Sequence, residues 1–227
     1  MALYEWNTTA CAAVLHDLAH LEVAVRNAYD RAWNAHTPTG TVHWTRDPDR
    51  YFPPAARRAR DGTFIDANRT PRNQIAAATR TAGRGAQAGK VIAELSFGFW
   101  RYLSISARET YLWLPYLRHG FTAGTSRKAI DTPMARLHML RNRVAHHEPL
   151  LRADLDARYQ DLTAITERIN PRITEHIATH TSWPALALQR PTGPGDTHQG
   201  LTSPPNLTGL AVGPTAIPGP VLAQAGG

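Results

Sequence analysis

From Val14 to Ala32 an apolar residue returns at nearly every third or fourth position. Val14, Leu18, Leu21, Val25, Ala28 and Ala32 make one stripe along a helix expected over about Thr8–Ala35. Such a stripe has to be covered by other elements, and the same period recurs downstream. A loop with Pro38, Gly40, Pro48, Pro53 and Pro54 follows. A helix restarts with Thr70 as its cap and Pro71 in its first turn. Gly83, Gly85 and Gly89 interrupt the pattern before a helix from Lys90 to about Ala107, and Arg108–Arg118 reads as a short helix containing Pro115. Ile130, Met134, Leu137, Leu140 and Val144 predict a helix from about Ser126. It stops near His147, because Pro149 keeps Glu148 out of the helical region. Leu155, Tyr159, Leu162, Ile165, Ile169, Ile173 and Ile177 predict a last helix, kinked at Pro171. No strand pattern and no solenoid repeat is visible. The expected fold class is an all-α bundle.

From Pro191 to Gly227 the only charged residue is Asp196, and Pro, Gly and Thr punctuate the stretch. It has too little to bury, so a disordered Pro/Gly-rich tail is expected, with the folded domain over 1–185 and the tail over 186–227. The formal charge of the chain is +7, and residues 1–190 carry one unit more. Only Lys90 and Lys128 are lysines; every other basic residue is Arg, which suits two-pronged phosphate contacts. The single Cys excludes a disulfide framework and fits a reducing compartment. The start Met1–Trp6 lacks a basic segment before an apolar run, so no signal peptide is expected. No apolar run approaches the ~20 residues of a membrane span. A cytoplasmic protein without membrane partners is the expectation.

Lys90 follows glycines, but a phosphate-binding loop needs Gly where Arg84 stands and Ser or Thr where Val91 stands. The adjacent His146, His147 and Glu148 lack the two-histidine, i and i+4 spacing of a helical zinc site, because Asn142 lies four residues before His146. No metal and no cofactor are expected. His119 and His138 read as solvated or structurally satisfied.

Arg141-Asn142-Arg143-Val144-Ala145-His146 combines a planar cation, an amide and a group that titrates near neutrality. RNA cleavage by internal attack needs those functions. The 2′-hydroxyl loses a proton, the departing 5′-oxygen gains one, and charge builds on the phosphoryl oxygens. On an ideal helix Arg141 and His146 lie about 140° apart, whereas Asn142 and His146 share a face. Arg141 must therefore reach around, the helix must loosen before Pro149, or a second chain must complete the site. The same residues also fit a plain helix C-terminus, whose dipole favours Arg and His.

Leu140 to Pro149 resembles the signature of the Abi-like (abortive infection) family of HEPN-domain proteins. Leu21 to Ala28, Val91 to Trp100, and Arg127 ahead of the signature helix are similar to that family too, in the family's order. The resemblance covers about residues 1–180 and omits the tail and much of the loop from Thr37 to Arg69. It implies a HEPN-like helical bundle and a metal-independent endoribonuclease whose Arg and His act together at a homodimer interface. It also implies a role in phage defence or as a toxin, with RNA as substrate and a neutralising antitoxin, protein or RNA, as partner. The motif's catalytic positions map onto Arg141, Asn142 and His146, with Arg143, His147 and Glu148 as auxiliaries. Glu22, Arg26 and Asn27 match the first-helix motif, where a buried Glu–Arg pair fixing helix register is an equal reading. Phe97 to Trp100 is expected in the core, in mid-helix. The alternative function is a non-catalytic HEPN module that binds RNA or a partner protein.

Overall fold

The computed structural model describes residues 2–191, and among them the fold is mostly all-α. Helix α1, Ala2–Ala35, starts a turn and a half earlier than its apolar stripe predicts. Trp6, Ala10 and Cys11 extend the buried face toward the N-terminus. At 1.5 Å per residue it runs about 50 Å and packs against elements from the middle and the end of the chain. Three long-range bonds anchor its first half. Trp6 Nε1 donates to Leu186 O at 2.9 Å, Asn7 Oδ1 accepts from Leu150 N at 2.7 Å, and buried Asp17 accepts from the Thr181 hydroxyl.

The loop after α1 is not an inert connection. A short helix α2, Pro48–Tyr51, and a hairpin, β1 Ala56–Arg58 and β2 Phe64–Asp66, lie within it. The strands pair antiparallel with Arg57 opposite Ile65. Asp61 accepts from the Thr63 amide and hydroxyl, and Gly62 at φ 85° closes the turn. The same loop sends Trp44 and Phe52 into the core. The Trp44 ring stacks on Trp33 with centroids 4.8 Å apart, and its Nε1 donates to Asp30 at 2.8 Å. Each such aromatic contributes about 4–6 kcal/mol of gross burial energy, an upper bound for area removed from water.

Helix α3, Arg69–Ala82, begins ahead of the expected Thr70 cap; Asn68 is its N-cap residue. The helix expected over Lys90–Ala107 is two helices, α4 Ala88–Ala93 and α5 Phe97–Leu103. Ser96, in extended conformation, starts α5, so Phe97 to Trp100 open a helix instead of sitting in mid-helix. Their core placement stands, with Phe97, Phe99 and Trp100 buried. Arg108–Arg118 is not one helix. A 3₁₀ turn, Ser106–Arg108, leads into a π turn, Glu109–Trp113, and a second 3₁₀ turn covers Leu117–Gly120. Gly120 lets that turn touch α1, since a Cβ there would lie 2.8 Å from Ala28 O.

Helix α6, Arg127–Ala145, is capped by the Ser126 hydroxyl, which accepts from Ala129 N. Arg127 tethers this end, donating to Ser104 O at 2.8 Å and lying 3.2 Å from both Asp131 and Glu109. Helix α7, Leu155–Ile169, lies along α6 and is held by Arg136, whose guanidinium grips the buried Asp161 carboxylate. The kink expected at Pro171 is a full break. Asn170 is extended at φ −168°, and its side chain caps α8, Pro171–His180. Against α1, the rings of His16, His20, His176 and His180 form a chain with successive centroids 4.9, 5.2 and 4.5 Å apart. Helix α9, Trp183–Leu188, crosses the domain boundary expected at 185. Arg190 Nη2 then donates to Ala153 O at 2.7 Å, so the compact unit extends to Pro191. The rest of the expected tail, 192–227, lies outside the described residues. Among those described, no helix is long and apolar enough to cross a membrane.

Candidate functional site

The last turns of α6 carry Arg141, Asn142 and Arg143, and the turn beyond carries His146, His147 and Glu148. The helix does not loosen before Pro149: His146 N still donates to Asn142 O at 3.0 Å. It then ends in a tight C-terminal cap. Glu148 N donates to Arg143 O at 2.9 Å, and His147 N donates to Val144 O at 3.1 Å. This bond pair needs a left-handed residue between helix and exit, a position glycine usually fills. Here it is His147, at φ 55°. Arg143 pins the exit, with Nη2 donating to Pro149 O at 3.2 Å and Nε 3.4 Å from Glu148 Oε2. His146, His147 and Glu148 are all exposed.

Arg127, Arg136 and Arg143 on α6 each hold a carboxylate, but Arg141 holds none within 4 Å and makes no side-chain hydrogen bond among the described residues. It is half-buried between α6 and α1. The facing acid is Glu22, also half-buried. Burial raises the pKa of its carboxyl, while the charges of Arg141 and, less strongly, Arg26 pull it down. Glu22 and Arg26 form no ion pair, and Glu22 senses Arg141 on α6 more than Arg26 on its own helix. Arg26 is half-buried and Asn27 exposed.

His138, expected to be solvated or structurally satisfied, joins this group. It precedes Asn142 by one turn, and Asn142 Nδ2 lies 3.4 Å from His138 Nε2. Phe97 stacks on its ring at 6.0 Å and Tyr102 meets it edge-on at 6.1 Å. Burial, then the charges of Arg101 and Arg141, lower its pKa, favouring the neutral ring. Gly98 makes room, because a Cβ there would lie 3.2 Å from His138 Nε2. Arg101 stacks over Tyr102 at 4.7 Å. The i, i+4, i+8 spacing of His138, Asn142 and His146 is the sequence signal that points to this stripe. His119 is a separate matter. It stacks on His36 at 3.8 Å, and burial, His36 and Arg118 lower its pKa.

The site thus gathers an unpaired guanidinium, an amide, a neutral-leaning half-buried imidazole and an exposed imidazole at one helix end, with Arg26 and Arg101 on the flanking helices. That set can bind a phosphodiester and move protons around it. Among the described residues no three His, Cys, Asp or Glu side chains converge to hold a metal ion. No protein-family model, curated protein or solved structure matches the chain.

Proposed function

We propose that this chain is a metal-independent endoribonuclease of the HEPN type, acting as a homodimer in phage defence or as a toxin held in check by an antitoxin. The observation that carries the reading is the unpaired Arg141 on a helix whose other arginines are all paired, one residue from Asn142 and one turn from the exposed His146. An arginine left free beside a carboxylate-lined fold is available to a phosphate.

In this mechanism Arg141 holds the scissile phosphate by two-pronged hydrogen bonds and offsets the charge that builds on its oxygens. His146 takes the proton from the 2′-hydroxyl, whose oxygen bonds to phosphorus as the bond to the 5′-oxygen breaks. A proton passes to the departing 5′-oxygen, leaving a 2′,3′-cyclic phosphate and a 5′-hydroxyl. Asn142, braced by His138, orients the phosphate or the sugar. The 140° offset between Arg141 and His146 persists to the end of α6 on an ideal helix. Two copies set face to face supply a second His146, so that one serves as base and the other as acid. Met139 supports that arrangement. It is 60% exposed on α6 and shares a face with Asn142 and His146, at i, i+3 and i+7.

The test is induced expression in a bacterial host with RNA end mapping, run on the intact protein, Arg141→Ala and His146→Ala. Cleavage ends should appear only with the intact protein, persist in chelator, and vanish from a substrate with one 2′-deoxy nucleotide at the cut site. His146→Ala should lose ~10²–10⁴-fold in rate. Cutting of the deoxy substrate would sink the mechanism. RNA binding without cutting by the intact protein would leave the non-catalytic module as the correct reading.

A further inference from the structure

A second cavity, of about 600 Å³, lies between the hairpin, the start of α3 and the stretch from α5 into the π turn. That volume is in the range that holds a small molecule. Its wall includes Arg108, which is 5% exposed. The Nε and Nη1 atoms of Arg108 have no hydrogen-bond partner, and no carboxylate lies within ion-pair distance among the described residues. Its guanidinium lies over the face of Phe52, 5.0 Å from Cζ to the ring centroid. A buried cation without a counter-charge is strongly unfavourable unless something in the site compensates it.

The opposite wall points the same way. Helix α3 has fourteen residues and starts at this cavity, with Thr70, Pro71 and Gln74 in the lining. Its N-cap residue Asn68 does not cap it, because the side chain donates to Pro53 O at 2.9 Å instead. Its first turn carries no acid. The positive end of the helix therefore lies at the cavity wall without a side-chain cap. Asp66, the nearby acid, is already engaged by Arg72 and by the amides of Ala55 and Asn68. Tyr102 and Tyr111 add flat aromatic surface to the lining.

We propose that this cavity binds a small organic anion, its phosphate or carboxylate meeting Arg108 and the start of α3, and its planar body packed on Tyr102 and Tyr111. This site does not depend on the ribonuclease reading. It touches the α6 site through one residue, because Tyr102 also meets His138.

Phenyl phosphate and benzoate probe the two head groups, and benzyl alcohol is the neutral control. Each is titrated into the full chain by calorimetry, with the His138 ring followed by NMR. At least one anion should bind saturably in the millimolar range or below and shift the His138 signal. Benzyl alcohol should bind at least tenfold more weakly. The tighter anion identifies the head group. Arg108→Met should lower anion affinity by about ten- to a hundredfold, the usual worth of a hydrogen bond to a charged group. It should melt no lower than the intact protein, since it removes an uncompensated charge. Gln74→Trp, which fills the mouth, should block the same probes and keeps the test open if Arg108→Met fails to fold. No saturable binding of either anion, equal binding of benzyl alcohol, or unchanged anion binding in both variants overturns the proposal.

Discussion

Replacing His147 by glycine separates the strain at the end of α6 from the chemistry beside it. A side-chain-bearing residue in the left-handed region costs roughly 1–2 kcal/mol, and His is among the types that tolerate it best. At φ 55° His147 pays that cost while its amide and the Glu148 amide close the cap. Glycine removes the Cβ clash but brings back about 0.5–1 kcal/mol of chain entropy in the unfolded state. The net expectation for His147→Gly is a gain of about 0.5–1 kcal/mol, which for a domain of this size raises the melting temperature by about 1–4 °C. His147→Ala keeps the Cβ and should not gain. Urea unfolding of the three proteins measures the difference. Equal stability for the glycine and alanine variants, or a loss with glycine, would show that the left-handed backbone carries no strain here. RNA cleavage by the stabilised variant then tells whether the imidazole is kept for function. An outlier retained at a site is motivated by function only if removing it costs activity.

Three further outcomes follow from other parts of the structure. Gly98→Ala gains about 1 kcal/mol of helix propensity but places a Cβ 3.2 Å from His138 Nε2. The melting temperature should stay near that of the intact protein while the His138 ring signal shifts and cleavage falls; an unmoved ring refutes the contact. Met139→Asp should weaken the proposed homodimer. Sixty per cent of a Met side chain is exposed in each chain, and burying it in both copies is worth about 2–4 kcal/mol, roughly twenty- to several-hundred-fold in dissociation constant. Light scattering that shows no change in the dimer population removes α6 from the interface. Burial, then His16 and His176, lowers the His20 pKa from its ordinary 6.5, against the raising effect of Asp17 and with a further lowering by His180. The folded state thus binds this proton less readily than the unfolded chain, so the stability contribution is complete above pH 6.5 and is lost as pH falls through the lower folded value. The urea midpoint should drop on acidification, and His20→Asn should flatten the profile; an unchanged slope in that variant contradicts the assignment.

The parts legible in the sequence are those where one physical signal acts alone. The apolar period placed α1 and α6, the latter from about Ser126, and Pro149 marked its exit. The catalytic candidates lay together in that same stretch. What was missed depended on tertiary context. Trp44 and Phe52 belong to no period, yet the loop folds back to bury them against Trp33. The break between α4 and α5 was hidden because Ser96 reads as an ordinary helix-surface residue until its extended conformation is seen. The hairpin had a visible cue in Asp61-Gly62, but its strands are too short to alternate. The place of His138 beside Asn142 was hidden in part because its other partners, Phe97, Tyr102 and Arg101, come from another helix. Arg108 gave no sign of its isolation, since lack of a partner is a property of the folded chain alone.

The three bonds that anchor the start of α1 span 180, 143 and 164 positions. During synthesis this helix leaves the ribosome long before α7, α8 and α9 exist to cover it. At ~5–20 residues per second the wait is roughly ten to thirty seconds. Until then the first half of α1 lacks the partners that these bonds supply, and the non-local closure that brings them comes late.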